Sequence, residues 1–175
     1  MPIDSTKEFK PINISVLTIS DTRTEATDKS GQILAKKIKE KGHGLTHKQI
    51  VKDDKEEIKK ILLEWCNDKN VDVVLATGGT GLTGRDTTPE ALDEIKDKDI
   101  PGFGELFRLI SYKKIGASTI QSRAMAVLAK GTYIFALPGS TGAVTDAWED
   151  ILKFQLDSRF KPCNFIELIP RLNEK

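Results

Sequence analysis

The sequence predicts an α/β fold of three layers (α/β/α), in which helices cover both faces of a mostly parallel central sheet. Short apolar runs rich in β-branched residues alternate along the chain with longer amphipathic segments, which is typical of this class. Turns rich in small and acidic residues follow directly after several of these runs, as they do at the carboxyl edge of open sheets. The 175 residues are enough for one domain. We expect it at residues 10–165, with a flexible N-terminal arm at 1–9 and a C-terminal tail at 166–175.

Four runs are predicted to form strands; three of them are apolar enough to be buried, and the run at 45–51 mixes apolar with polar residues. Each contains β-branched or aromatic residues and is followed by residues that favour turns. The runs cover residues 12–20, 45–51, 71–76 and 132–137. Helical segments between successive strands predict parallel pairing in one sheet.

The clearest helix begins after two adjacent aspartates, Asp53 and Asp54. Apolar side chains recur along it at i, i+3, i+4, i+7 and i+8 and form one continuous face. They are Ile58, Ile61, Leu62, Trp65 and Cys66. Asp54 with Glu57 resembles a capping box, in which replacing the cap by Ala would cost ~1 kcal/mol. Either aspartate could simply cap this helix. Because capping needs only one carboxylate, the other aspartate is free for a functional site.

Further helices are predicted from the same periodicity at residues 30–41, 89–97, 118–130 and 143–156. Another amphipathic segment begins at Pro101. The helix at 118–130 is predicted because its apolar residues fall on one side of a helical wheel.

A glycine-rich turn follows the third strand. It consists of Thr77, Gly78, Gly79, Thr80 and Gly81, and Gly84 and the pair Arg85-Asp86 come shortly after. Glycine removes the Cβ atoms that would keep a ligand off the backbone, and successive N–H groups can then form an anion site. The structural alternative is a connection that merely needs positive φ at two or three positions. Three glycines in four residues exceed that need, so we predict a phosphate-bearing ligand here.

Two familiar phosphate motifs do not fit this turn. The pattern GxxxxGK[ST] would place Arg85 where Lys is required and Asp86 where a hydroxyl should bind magnesium. The pattern GxGxxG fails because Gly84 comes one position late and because the strand is the third rather than the first. The turn is therefore expected to bind phosphate by another scheme.

Two other strand ends carry residues of the same kind. Ser20 and Asp21 follow the first strand, and Pro138, Gly139 and Ser140 follow the last. Because parallel strands end at the same edge of a sheet, we expect these turns and the glycine-rich turn to line one pocket. Asp53, which follows the second strand, is placed to join them.

Composition excludes several classes of protein. A net charge of +1 without a basic tract argues against a nucleic-acid partner. No apolar run approaches the ~20 residues of a membrane span, and the N-terminal residues lack a signal-peptide core. Cys66 and Cys163 form no CxxC pair, and the position of Cys66 on an apolar helical face predicts a buried free thiol. We expect a reduced, cytoplasmic protein that does not associate with membranes.

The residues at this edge favour nucleotidyl or phosphoryl transfer. The sequence has no GxSxG motif, and neither histidine lies at a strand end near the glycines, which argues against a Ser-His-Asp set. Mg²⁺ binds through one or two aspartates together with phosphate oxygens. Such an ion would neutralise charge at phosphorus and align the attacking and leaving oxygens.

Four motifs, in this order, resemble those of the MogA/MoaB family of molybdenum cofactor biosynthesis. They are Thr-Gly-Gly-Thr-Gly at 77–81, Arg-Asp-Thr-Thr-Pro-Glu-Ala at 85–91, Pro-Gly-Phe-Gly-Glu at 101–105 and Leu-Pro-Gly-Ser at 137–140. The resemblance covers residues 12–165. Within the family it favours the MoaB branch, because of residues 107–109, 118–124 and 161–165.

The resemblance implies a molybdopterin-binding fold and the adenylylation of molybdopterin with Mg·ATP, which releases pyrophosphate. It implies that Asp53 and Asp86 are the catalytic aspartates and the ligands of Mg²⁺. Residues 77–81 would cradle the nucleotide or the pterin ligand, and the turns at Ser20-Asp21 and 138–140 would close the pocket. Arg85 would contact phosphate, with a surface ion pair to Asp86 as the alternative. Ser122 and Arg123 are weaker candidates, because a polar helix face has the same appearance.

The resemblance also implies a homotrimer or homohexamer that works with other molybdenum cofactor biosynthesis proteins. A second function stays open, because members of the MoaB branch are not uniformly active. The chain would then be a catalytically silent protein that binds molybdopterin or a precursor. The presence of both Asp53 and Asp86 favours the active enzyme.

Overall fold

The computed structural model describes residues 3–172 and Glu174, and within them six strands form one sheet. The strands are β1 (Asn13–Ile19), β2 (Gly44–Val51), β3 (Val73–Thr77), β4 (Lys98–Asp99), β5 (Met125–Ala129) and β6 (Thr132–Leu137). Their order across the sheet is β2-β1-β3-β6-β5-β4. The pairings β1–β2, β1–β3 and β3–β6 are parallel, whereas β5 runs antiparallel to both β6 and β4. The mostly parallel sheet predicted from the sequence is confirmed.

Helices pack on both faces of the sheet. They are α1 (Lys29–Lys41), α2 (Lys55–Asn67), α3 (Thr88–Ile95), α4 (Pro101–Ile115) and α5 (Thr141–Ala147). The last continues through a wide turn, Trp148–Leu152, into Lys153–Gln155. Side chains of α1, α4 and α5 bury one face of the strands, and side chains of α2 and α3 bury the other. No helix in the described part of the chain is both long and apolar enough to cross a membrane.

The predicted helix at residues 118–130 is wrong. A 3₁₀ turn, Gly116–Gln121, is followed instead by β5, which a tight turn at Lys130 and Gly131 joins to β6. Both turn residues have positive φ, 49° and 84°, as in the hairpin turns that match the twist of the strands. Most of β5 is buried, and a short apolar run of that kind looks the same as part of a buried helix.

The segment expected to form an N-terminal arm contacts residues 159–160 of the domain and Glu167 of the expected tail. Ile3 bridges to Phe160, and the N–H of Asp4 donates to the carbonyl oxygen of Arg159 at 2.9 Å. Lys7 forms an ion pair with Glu167 at 2.6 Å. These contacts lie away from the carboxyl ends of the parallel strands.

Cys66 is buried on α2, as predicted, and is not in a disulfide. Burial raises the pKa of its thiol to about 11. Cys163 is exposed and also free. A thiol with a raised pKa is a poor nucleophile at neutral pH, so Cys66 belongs to the core.

Candidate active site

The glycine-rich turn crosses the end of β1 in a conformation that only glycine adopts easily. Gly78 and Gly79 have φ values of 111° and 62°. A Cβ atom on Gly78 would lie 2.1 Å from the carbonyl oxygen of Ile19. The N–H of Gly78 donates to the carbonyl oxygen of Leu137 at 3.0 Å, so the turn is tied to the end of β6 as well. The chain therefore needs glycine here to leave the sheet between two strand ends.

Asp53 reaches beneath the turn from the end of β2. A Cβ atom on Gly79 would lie 2.8 Å from Oδ2 of Asp53 and 2.3 Å from Oγ1 of Thr88. Oδ1 of Asp53 accepts two hydrogen bonds from Thr87, from the backbone N–H and from Oγ1, both at 3.1 Å. The Asp53 carboxylate thus occupies the space that a side chain at position 79 would need.

The capping role falls to Asp54. Its side chain accepts hydrogen bonds from the N–H groups of Glu56 and Glu57, both at 3.0 Å, at the first turn of α2. Asp53 is therefore not needed to cap α2. Burial raises the pKa of the Asp53 carboxyl, and the negative charges of Asp86 and Asp21 act in the same direction, against the hydrogen bonds from Thr87.

Asp86 sits on the other side of the same turn. Its Oδ2 accepts hydrogen bonds from the N–H and Oγ1 of Thr83, at 2.9 and 2.6 Å. A Cβ atom on Gly81 would lie 2.7 Å from this oxygen. The hydrogen bond from the Thr83 hydroxyl is the main cause that lowers the pKa of Asp86, so its carboxylate stays ionised.

Arg85 forms its ion pair with Asp21 rather than with Asp86. Nη2 of Arg85 lies 2.6 Å from Oδ2 of Asp21, and both side chains are exposed. This hydrogen bond is the main cause that lowers the pKa of Asp21. Oδ1 of Asp21 also accepts from the N–H of Asp53 at 3.2 Å. Asp21 thus links the ends of β1 and β2 to the loop that carries Asp86.

The turn after β6 lies next to the glycine-rich turn. Oγ1 of Thr77 donates to the carbonyl oxygen of Pro138 at 3.1 Å. The carbonyl oxygen of Gly139 accepts from Nη2 of Arg23 at 2.6 Å and from Oγ of Ser30 at 2.8 Å. Oγ of Ser140 accepts from the N–H of Ala143 at 3.1 Å and caps α5.

These turns form one wall of a cleft of about 460 Å³. Predicted residues on that wall are Gly78, Gly79, Thr80, Gly81, Asp86, Pro138, Gly139 and Ser140. The opposite wall is supplied by α4 and the turn after it, with Phe107, Ser111, Ile115, Ser118, Thr119, Gln121 and Ser122. The other predicted residues, Ser20, Asp21, Asp53, Thr77 and Arg85, lie behind or beside the cleft rather than on its surface.

A larger groove of about 540 Å³ lies at the opposite edge of the sheet, beside Pro11, Ile12, Asp72 and the C-terminal 3₁₀ turn. It contains none of the strand-end residues that the sequence singles out. The candidate site is therefore the smaller cleft, where the glycine-rich turn, the turn after β6 and Asp86 converge.

Two polar residues support this wall: Thr88, which does not stand out in the sequence, and Arg123, a candidate that the sequence places on a helix face. Oγ1 of Thr88 donates to the carbonyl oxygen of Gly78 at 2.9 Å, and its own N–H donates to the carbonyl oxygen of Gly79 at 3.0 Å. Arg123 contacts the loop that contains Asp86 and forms an ion pair with Glu90. Thr88 and Glu90 belong to the Thr-Thr-Pro-Glu run after Asp86, which was visible in the sequence. Their partners in the fold, the glycine-rich turn and Arg123, could not be identified from that run alone.

The donor set at this edge suits a hard cation shared with phosphate oxygens. Among residues 3–172 and 174, no group of three or more His, Cys, Asp or Glu side chains could hold a metal on its own. Mg²⁺ does not need one, because it keeps waters and uses one or two carboxylates together with substrate phosphates. Asp86 on the wall and Asp53 behind Gly79 provide that number of carboxylates.

Comparison with known proteins agrees with the resemblance drawn from the motifs. A family model described as "Probable molybdopterin binding domain" matches residues 15–158. The chain is 49% identical over 158 residues to "Molybdenum cofactor biosynthesis protein B" of Escherichia coli strain K12, covering 90% of this chain and 93% of that protein. A crystal structure of a protein with that same name matches with a TM-score of 0.83 and 48% identity, over 86% of this chain and 94% of the other. A structure of MogA matches with a TM-score of 0.71 and 31% identity, over 82% of this chain and 97% of the other. The chain therefore belongs to the MogA/MoaB family of molybdenum cofactor biosynthesis proteins.

Proposed function

We propose that this protein binds molybdopterin and adenylylates it with Mg·ATP, releasing pyrophosphate. The observation that carries the proposal is the pair of carboxylates held against the glycine-rich turn, Asp53 across Gly79 and Asp86 across Gly81. In this reaction an oxygen of the terminal phosphate of molybdopterin attacks the α-phosphorus of ATP. The bond from the α-phosphorus to the bridging oxygen breaks, and pyrophosphate leaves. The attacking phosphate oxygen is already ionised, so no general base is required.

The residues divide into two roles. The turn at 77–81 and the turn at 138–140 offer backbone N–H groups to phosphate oxygens along the cleft. Asp86, ionised and on the cleft surface, is the first choice for holding Mg²⁺ or orienting the molybdopterin phosphate. Asp53 would serve as the second carboxylate. Ser20 and Asp21 would close the pocket beside these turns. Arg85 would contact phosphate after breaking its ion pair with Asp21.

Electrostatics supports a cation at this place. Burial is the main cause that raises the pKa of Asp53, and the negative charges of Asp86 and Asp21 raise it further. A divalent ion among phosphates would relieve this repulsion and reverse its effect on the pKa. When bound, Mg²⁺ would neutralise phosphate charge and keep the attacking and leaving oxygens in line.

The test is pyrophosphate release by the purified protein given Mg·ATP and molybdopterin. We expect turnover by the wild type and a loss of at least 100-fold in Asp86→Asn and Asp53→Asn, which keep side-chain size and remove the charge. Asp54→Asn is the matched control, because asparagine caps helices as well as aspartate does and the Asp54 side chain accepts its hydrogen bonds from the first turn of α2. Its rate should stay within twofold of the wild type.

A binding protein without catalysis is the second candidate. The related proteins carry the name of a biosynthesis protein that specifies no reaction, and Asp53 lies behind the cleft surface rather than on it. Saturable binding of molybdopterin without pyrophosphate release would establish this candidate and refute the adenylyltransferase. Failure to bind molybdopterin at all would refute both.

We also propose that the protein forms a homotrimer or homohexamer and passes its product to other proteins of the pathway. A stripe of apolar side chains along the outer side of α4 and the following turn supports assembly. It consists of Leu106, Leu109, Tyr112, Ile115 and Ile120, which are 43–84% exposed. A contiguous exposed apolar surface of this kind marks an interaction site. Light scattering during size-exclusion chromatography would test it by giving three or six times the mass of one chain.

A further inference from the structure

Arg123 touches the loop that carries Asp86 at both of its ends. It precedes β5 in an extended segment, not on the helix face that the sequence predicts. Its Nε donates to the carbonyl oxygen of Gly81 at 2.7 Å, and its Nη2 donates to the carbonyl oxygen of Asp86 at 2.8 Å. Its Nη1 forms an ion pair with Glu90 on α3. One guanidinium thus joins the start and the end of the loop and fixes both to a helix.

The loop between these two points has little else to hold it. Residues 82–85 are exposed, so core packing does not determine where they lie. Within the loop, Thr83 bonds to the Asp86 carboxylate, and Arg85 reaches out to Asp21. The contacts from Arg123 join both loop ends to the segment that enters β5, and its own N–H donates to the carbonyl oxygen of Thr80 at 3.2 Å.

The contact at Asp86 also reaches Asp53. The carbonyl of Asp86 and the N–H of Thr87 belong to one planar trans peptide, so they point in opposite directions. Arg123 holds the carbonyl end at 2.8 Å, and the N–H end donates to Oδ1 of Asp53 at 3.1 Å. A rotation of this peptide would break both contacts together. Its orientation therefore couples the positions of the two aspartates.

We propose that Arg123 is the positioning residue of this site, which sets the separation of Asp53 and Asp86 through the Asp86–Thr87 peptide. It need not touch substrate to do so. Its planar fork places three donors in fixed directions, toward Gly81, Asp86 and Glu90. A lysine keeps the charge but has one nitrogen, which cannot occupy three such positions. The proposal rests on the proposed function for its kinetic consequences, whereas its structural consequences stand alone.

The test compares Arg123→Lys and Arg123→Gln with Arg108→Gln. Arg108 is the control because its guanidinium donates to the backbone carbonyls on either side of Arg123, that of Ala124 at 3.0 Å and that of Ser122 at 3.5 Å, yet contacts nothing in the 81–86 loop. Two quantities are measured in each protein. One is the hydrogen–deuterium exchange rate of the Thr87 amide, resolved by NMR, and the other is kcat and KM for pyrophosphate release.

We expect the Thr87 amide to exchange at least 10-fold faster in both Arg123 variants and at the wild-type rate in Arg108→Gln. In the kinetic assay kcat should fall about 10- to 100-fold in the Arg123 variants, while KM for molybdopterin and for ATP stays within threefold, because misplaced catalytic groups reduce the rate more than binding. If Arg123→Gln does not fold, Arg123→Lys still allows the test, because lysine retains the positive charge beside Glu90.

Two results would overturn the proposal. One is an unchanged Thr87 exchange rate in both Arg123 variants, and the other is an equal effect of Arg108→Gln, which would mean that the placement of the 122–124 segment, and not the Arg123 guanidinium, determines the loop. If the wild type releases no pyrophosphate, the proposed function fails, and the exchange measurement alone still decides the role of Arg123.

Discussion

Replacing Gly79 by alanine tests whether the turn and Asp53 form one unit. Gly79 has φ +62°, where an L-residue costs roughly 1–2 kcal/mol relative to ordinary backbone. The new Cβ atom would lie 2.3 Å from Oγ1 of Thr88, so the hydrogen bond from Thr88 to the carbonyl of Gly78 must break, at a cost of about 1 kcal/mol. The reduced entropy of the unfolded chain offsets about 0.4–1 kcal/mol.

The expected net effect is a free energy of unfolding lower by about 2 kcal/mol, measured by chemical denaturation. The same Cβ atom would lie 2.8 Å from Oδ2 of Asp53 and push the carboxylate away from the turn. A displacement of about 1 Å in a catalytic group can cost about 100-fold in rate, so pyrophosphate release should fall 10- to 100-fold.

Gly84→Ala is the control within the same loop. A Cβ atom on Gly84 meets no heavy atom within 4 Å, and Gly84 does not have positive φ. Its free energy of unfolding should stay within about 0.5 kcal/mol of the wild type, with unchanged turnover. Equal behaviour of Gly79→Ala and Gly84→Ala in both assays would refute the claim that Asp53 occupies the space left by Gly79.

Three further predictions concern other parts of the fold. Burial lowers the pKa of His43 from 6.5 to about 4, so the unfolded chain takes up a proton at a higher pH than the folded protein does. The free energy of unfolding should therefore fall by about 3 kcal/mol as the pH drops from 6.5 to 4. In His43→Asn, chemical denaturation at the same pH values should show that most of this pH dependence is lost. Asp54→Ala should lower the free energy of unfolding by ~1 kcal/mol through loss of the α2 cap, and an accompanying loss of pyrophosphate release would count against Asp53, rather than Asp54, as the functional carboxylate at the end of β2. Leu109→Lys places a charge in the apolar stripe on α4, so light scattering should report a smaller assembly, and an unchanged mass would exclude this surface as the contact.

The parallel centre of the fold could be predicted from sequence because its signals are local. The runs that became β1, β3 and β6 are apolar and rich in β-branched residues, and all four parallel strands are bounded by turn residues. By contrast, β5 depends on its antiparallel partner and on the turn at Lys130 and Gly131, and β4 has only two residues. Pairing of that kind is decided by residues distant along the chain, so periodicity within one window cannot detect it.

The candidate site divides in the same way. The convergence of the turns after β3 and β6 on one cleft follows from topology, because parallel strands end at one edge. The wall formed by Ser111, Ser118 and Gln121 does not, since it depends on how α4 folds back over the sheet. The partner of Arg85 was likewise decided by the spatial proximity of Asp21, 64 positions earlier, and not by its neighbour Asp86.

The charges around the turn explain why such a site would bind phosphate without the lysine of a P-loop. The two arginines at its edge are already engaged, Arg85 with Asp21 and Arg123 with Glu90. Asp53 and Asp86 occupy the spaces beside Gly79 and Gly81, so the carboxylates are placed closest to the backbone that would hold phosphate. Phosphate and carboxylate repel each other unless a cation lies between them. The glycines therefore create a site whose affinity for a nucleotide should depend steeply on Mg²⁺, and nucleotide binding that is independent of Mg²⁺ would contradict this view of the loop.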